Sequence, residues 1–140
     1  MIYVDTSVLV ALFSNETRSV AVAAWYGACT EELASAAWCV TEFASALGIK
    51  QRTGQLNEAQ AALAWQSFER FCTGDLQILP VAPLTFHSAA VLTLDASTAL
   101  RAGDALHLAA ALDAKAKGMA TLDEVLARNA KAARMKLVGF

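Results

Sequence analysis

Met1-Ile2-Tyr3-Val4-Asp5-Thr6-Ser7 opens the chain, a short apolar run that stops at a carboxylate and two hydroxyls. Its length fits a buried strand, and the abrupt change in polarity puts Asp5 where that strand leaves a sheet. The pattern recurs. Leu33 to Val40 is a second apolar run, ending at Thr41-Glu42; Leu76 to Val81 is a third, closed by Pro80; Gly118 to Leu122 is a fourth, ending at Asp123; Lys136 to Phe140 reads as a last short strand. Between them lie segments of helical spacing at about Val8 to Phe13, Arg18 to Cys29, Thr41 to Arg52, Asn57 to Cys72, Leu84 to Leu94, Asp104 to Lys117 and Asp123 to Arg134. Gly54 suits the left-handed position that ends a helix, and Asn57 suits an N-cap. Strands alternating with helices of this length imply right-handed crossovers and a parallel sheet covered on both faces. The expected fold is α/β, a three-layer α/β/α sandwich with a central, mainly parallel sheet of four or five strands. With no repeat, linker or low-complexity segment, residues 1–140 read as a single domain.

The chain is 56% hydrophobic, with a mean hydropathy of +0.42, yet no apolar run approaches the ~20 residues that span a bilayer. Much of the excess is alanine, which suits closely packed helices and leaves material for a sticky face that a partner covers. Cys29, Cys39 and Cys72 are odd in number, widely spaced and set in apolar sequence, which reads as buried thiols of a reducing cytoplasm. No basic leader precedes the first strand, in keeping with a cytoplasmic location. Eleven basic and thirteen acidic residues give a net charge of −2, which argues against holding nucleic acid by bulk positive charge. A nuclease that loads its carboxylates with cations stays open.

Ligands of open parallel sheets bind outside the carboxyl ends of the strands. Asp5, Glu42 and Asp123 follow three of the predicted strands, and Asp104 opens the Ala-rich helix after a loop. Each acid also has a plain structural reading. Asp5 and Asp104 suit helix caps, and Thr121 with Glu124 has capping-box spacing, leaving Asp123 as a first-turn acid. Glu42 fits that reading least, because its neighbours Phe43, Ala44, Ala46 and Leu47 are mostly apolar. Carboxylates gathered without matching bases repel one another unless cations neutralise them. Oxygen ligands without cysteine favour Mg²⁺ or Mn²⁺, and such ions support phosphodiester hydrolysis.

Val4-Asp5-Thr6-Ser7, Val40-Thr41-Glu42, Leu100 to Ala109 (LRAGDALHLA) and Thr121-Leu122-Asp123 together resemble the PIN-domain ribonucleases, and among them the VapC-type toxins of toxin-antitoxin pairs. The resemblance spans nearly the whole chain, and its LRAGDALHLA segment is the most distinctive. It implies a metal-dependent endoribonuclease in which Asp5, Glu42, Asp104 and Asp123 bind Mg²⁺ or Mn²⁺, with Asp123 serving a second ion or orienting water. Ser7, Thr121 and Thr6 would be polar supports for the carboxylates. A cognate antitoxin, an RNA substrate and a homodimer are the implied partners, and no membrane is involved. The family commonly has proline where Gly103 stands and often a basic residue where Leu122 stands; neither departure removes a ligand.

Arg101, in the loop before Asp104, reads equally as a contact to an RNA phosphate or as a loop brace. Lys50 with Arg52, and Arg128 with Lys131 and Arg134, read as groove walls or solvated faces. His107, one turn after Asp104, is assigned to the core rather than the site, and His87 to structure. Trp25, Tyr26, Trp65, Phe68 and Phe71 have core spacing. The alternatives are a catalytically silent PIN-like binding scaffold or a Mg²⁺-dependent phosphatase of haloacid-dehalogenase type. The latter needs a second Asp two residues after the first, where this chain has Ser7.

Overall fold

Ile2 and Val4 face one side of the central sheet and Tyr3 the other, so the opening strand is buried on both faces. The computed structural model describes residues 1–140. Five strands, β1 (Ile2–Val4), β2 (Leu33–Ala36), β3 (Leu76–Leu79), β4 (Gly118–Ala120) and β5 (Lys136–Leu137), pair in the order β3-β2-β1-β4-β5. Every pairing is parallel. Four helices, α1 (Thr6–Phe13), α2 (Ser19–Ala28), α3 (Trp38–Arg52) and α4 (Glu58–Gly74), contribute to the core on the Ile2/Val4 face. Three others, α5 (Pro83–Leu94), α6 (Ala102–Asp113) and α7 (Glu124–Ala132), contribute to the core on the Tyr3 face. The three-layer α/β/α architecture follows, with an all-parallel sheet of five strands.

On the first face, Phe43 stacks on Phe68 with centroids 4.1 Å apart, and Phe13 meets Phe43, Phe68 and Phe71 edge-on. Trp65 and Tyr26 pack at the rim of this cluster, as their spacing predicts. The second face is built on small residues. Ala105 and Ala109 to Ala111 let α6 lie close to the sheet, and the whole span from Ala105 to Ala111 is buried. Asn57 caps α4 in a capping box with Gln60, and Gly54 takes φ +75° after α3. The three cysteines are unpaired, and burial pushes the Cys39 thiol up to about 12, so it is inert as a nucleophile. No helix is long and apolar enough to cross a membrane.

Two boundaries differ from expectation in ways that move the site. The predicted strand Leu33 to Val40 ends at Ala36, and α3 begins at Trp38, so Glu42 lies inside a helix rather than at its entrance. Cys39, Phe43 and Leu47 are the buried stripe of that helix at a spacing of four. A short apolar run cannot distinguish this start from a strand, because both are buried. The helix placed at Asp104 to Lys117 runs instead from Ala102 to Asp113, which sets Asp104 in its first turn and leaves Lys115 at φ +54° in the turn beyond.

Candidate active site

The sheet order reverses between β1 and β4, and a cleft of about 600 Å³ opens beyond the carboxyl ends of these strands. Its walls carry five carboxylates, Asp5, Glu16, Glu42, Asp104 and Asp123, and a single basic residue, Arg101. The four acids singled out in the sequence therefore share one cavity.

Asp5 continues β1, and its N–H donates to Ala120 O (2.9 Å), which sets it beside Thr121 at the end of β4. It is the N-cap of α1, so the capping expectation holds, but the cap is only part of its environment. Asp5 Oδ2 accepts from Ser7 Oγ (2.5 Å), Thr121 Oγ1 (2.9 Å) and Ser7 N (3.4 Å). Both hydroxyls are themselves fixed: Ser7 Oγ accepts from Leu122 N (3.0 Å), and Thr121 Oγ1 accepts from Asp123 N (3.0 Å). Asp5 Oδ1 has no such donors and lies 3.4 Å from His107 Nε2. One oxygen is anchored and the other is presented to the cleft.

Glu42 is held in the same manner from other elements. Its Oε2 accepts from Thr6 Oγ1 (2.6 Å) and lies 2.5 Å from His107 Nε2. His107 is 1% exposed, and its Nδ1 pairs with Tyr3 OH (2.8 Å). The expectation that His107 is a hydrogen-bonded core residue holds, and its ring also lies between Tyr3 and two of the predicted acids. The sequence signal was its place three residues after Asp104 on a buried helix, where a polar ring must find partners.

Asp104 and Asp123 line the same cleft from the N-terminal ends of α6 and α7. Asp123 caps α7, its Oδ1 accepting from Leu126 N (2.7 Å), so the Thr121–Glu124 capping box is replaced by an Asp123 cap. Arg101 is 82% exposed and reaches across both, with Nε 3.3 Å from Asp104 Oδ2 and a terminal nitrogen 3.8 Å from Asp123 Oδ2. Three helix N-termini, those of α1, α6 and α7, thus carry acids at the cleft, and their partial positive ends ease the crowding. Lys50 is no groove wall: it is buried and pairs with Glu16 at 2.8 Å. His87 is exposed on α5.

A family model described as the PIN domain matches residues 2–132. The chain belongs to the PIN-domain family. Among solved structures, this PIN domain is similar to VapC20 of Mycobacterium tuberculosis, described as a toxin that cleaves the sarcin-ricin loop, at 12% identity and a TM-score of 0.75, covering 92% of this chain and 95% of that one. It is also similar to FitAcB of Neisseria gonorrhoeae, at 21% identity and a TM-score of 0.73, covering 99% and 97%. A third likeness is to VapBC2 of Rickettsia felis bound to promoter DNA, at 15% identity and a TM-score of 0.65, covering 99% and 98%. At these identities the likeness is one of fold. No curated protein matches in sequence.

The PIN domain's donor set suits a cation. Ligand atoms of Asp5, Glu42 and His107 all lie within 4.8 Å of one another, and Asp104 and Asp123 face the same cleft. The electrostatics agree. Burial and the neighbouring Asp123 raise the Asp104 carboxyl against the pull of Arg101, so this acid is uncomfortable without a counterion. Burial also works to raise Glu42 and to lower His107, but each is overcome by the other: the hydrogen bond between them and the nearby charges hold Glu42 low and His107 high.

These directions fix a pH dependence for the metal-free PIN domain. The raised His107 contributes stability below its unfolded value near 6.5 and loses it as pH rises through the folded value. The raised Asp104 costs stability over the same upward direction, once pH exceeds its unfolded value near 3.9. The lowered Glu42 contributes above about 4.5 and loses that only as pH falls through its folded value. In EDTA the melting temperature is therefore expected to be higher near pH 6 than near pH 8.5. Added Mn²⁺ should abolish the loss at pH 8.5. Equal melts at both pH values in EDTA would contradict the coupling of Glu42 and His107.

Proposed function

We propose that this PIN domain is a Mg²⁺- or Mn²⁺-dependent endoribonuclease acting in the cytoplasm as the toxin of a toxin-antitoxin pair. The observation that carries the reading is the cleft itself: carboxylates at the β1/β4 switch point, two of them with one oxygen anchored by hydroxyls and one left for a ligand. Asp5, Glu42 and Asp104 would hold the first ion, and Asp123 a second ion or the attacking water. Bound there, divalent ions supply Lewis acidity for hydrolysis of a phosphodiester. Ser7 and Thr121 hold Asp5 in place, and Thr6 does the same for Glu42. The likeness to a loop-cleaving toxin and to VapBC2 supports a looped or single-stranded RNA target and a cognate antitoxin. A second copy of the chain would cover apolar surface such as Leu84, Val91 and Leu94, all exposed on α5.

The test is cleavage of single-stranded and hairpin RNA by purified protein with Mn²⁺ or Mg²⁺ and with EDTA. Cutting lost in EDTA and restored by metal is expected. Cutting that persists in EDTA overturns the metal reading, and RNA binding without cutting under any metal favours the silent scaffold. A phosphatase reading has little support, because Ser7 is engaged in holding Asp5 and offers no acid.

Arg101 would meet the RNA backbone. Its guanidinium is exposed at the mouth and tethered only to two acids that cations would neutralise. Arg101→Ala is expected to raise KM for RNA roughly threefold to tenfold at low salt, similarly for all sequences, and to reduce the salt dependence by about one phosphate contact. An unchanged salt slope with lowered kcat would assign Arg101 to the acids instead.

A further inference from the structure

We infer that His107 is a positioning residue for Glu42, the last link of a buried chain from the Ala36 backbone N–H through the Tyr3 hydroxyl and the imidazole to Glu42 Oε2. The inference rests on the metal-nuclease reading and adds to it a residue outside the acidic quartet.

Glu42 differs from the other three acids in how it is supported. Asp5 and Asp123 are N-caps with backbone donors, and Asp104 lies in the first turn of α6. Glu42 sits in the second turn of α3, where the backbone N–H groups are engaged in the helix, so it has no free helix end to hold it. Its donors come from α1 and α6, as Thr6 and His107. A long side chain with two donors on one oxygen has that oxygen fixed. The other, Oε1, is turned toward Gly103, where a Cβ would approach within 2.7 Å.

The hydrogen bonds also determine where the imidazole proton sits. Ala36 N donates to the Tyr3 oxygen (3.0 Å). Glu42 Oε2, as an ionised carboxylate oxygen, only accepts, so the hydrogen in its 2.5 Å contact with the ring belongs to Nε2. A neutral imidazole has one donor and one acceptor, so Nδ1 is then the acceptor for the Tyr3 hydroxyl (2.8 Å). Every polar atom of this buried ring is committed. The Ala36 N–H that starts the chain lies beyond the last β1/β2 partner pair, Tyr3 and Ala34, so the sheet's own geometry anchors it. Direct ligation of an ion by His107, which the closeness of Asp5, Glu42 and His107 also allows, requires the opposite tautomer, with hydrogen on Nδ1 and none on Nε2. The two arrangements differ by the place of one proton.

The test uses the full chain. In ¹⁵N-imidazole NMR at pH 8, the Nε2–H of His107 is expected in the metal-free protein and again after Mg²⁺ is added. Two variants separate the ring nitrogens: the amide nitrogen of His107→Gln falls near Nε2, and that of His107→Asn near Nδ1. Mn²⁺ affinity, read by titration, should fall 10- to 100-fold in His107→Asn and stay within a few-fold of the parent in His107→Gln, with kcat following and KM for RNA little changed. Wild-type Mn²⁺ affinity in both folded variants would overturn the inference and return His107 to a core role. Loss of the Nε2 hydrogen on Mg²⁺ addition, or equal losses in both variants, would overturn it in favour of direct ligation. Absence of any metal binding by the unaltered protein would overturn the metal reading and this inference together.

Discussion

Asp5→Asn is expected to reduce RNA cleavage by on the order of 10³-fold or more while leaving the fold intact. Asparagine keeps the N-cap role at the start of α1. Its carbonyl oxygen takes the place of Oδ2, because Ser7 Oγ, Ser7 N and Thr121 Oγ1 all donate there. The amide NH₂ is then forced to the Oδ1 position, which is the side left for a cation and lies 3.4 Å from His107 Nε2. A donor replaces an acceptor at the one place where an acceptor is needed. Loss of several kcal/mol of metal-borne charge stabilisation corresponds to about three decades of rate. The melting temperature in EDTA should not fall, since the change also removes one of five like charges from the cleft. Cleavage within tenfold of the parent would remove Asp5 from the chemistry.

Gly103→Ala is expected to separate stability from activity. Position 103 is the second residue of α6, where alanine is favoured over glycine by roughly 0.5–1 kcal/mol. The new Cβ would lie 2.7 Å from Glu42 Oε1 and 3.3 Å from Trp38 Nε1. What must yield is the end of a flexible side chain, so the fold bears little cost, but that end is the carboxylate facing the cleft. A shift of about 1 Å in a positioned group is worth on the order of 10²-fold in rate. The expected outcome is a melting temperature equal to or above the parent's in EDTA, with cleavage and Mn²⁺ affinity reduced roughly 10- to 100-fold. Parent-like cleavage would mean that Glu42 Oε1 is not a working ligand atom. The same closeness explains Trp38, whose buried Nε1 has no hydrogen bond of good geometry yet lies beside Glu42 and favours its ionised form.

Much of this molecule was readable from residue order alone. The run Ile2–Val4 followed by Asp5, and its echo at Gly118–Ala120 followed by Thr121 and Asp123, fixed two strands and the rim they share, because an apolar run that ends in acid has few places to go in a parallel sheet. The Ala-rich span of α6 announced its own burial. Helix starts were less legible where burial continues across a boundary: Trp38 to Val40 is apolar whether strand or helix, and only packing of Cys39 and Phe43 against the core decides.

Sequence by itself determined the layers, the parallel sheet and the four acids of the cleft, because periodicity and polarity are local properties of the chain. Tertiary structure alone decided which acids are held by what. Val4 pairs with Ala120, and that register brings Thr121 to Asp5 across 116 positions; the seating of α6 against the sheet brings His107 to Tyr3 and Glu42. Such contacts depend on sheet order and on the depth at which an alanine-lined helix settles, and neither is a property of any short stretch of sequence.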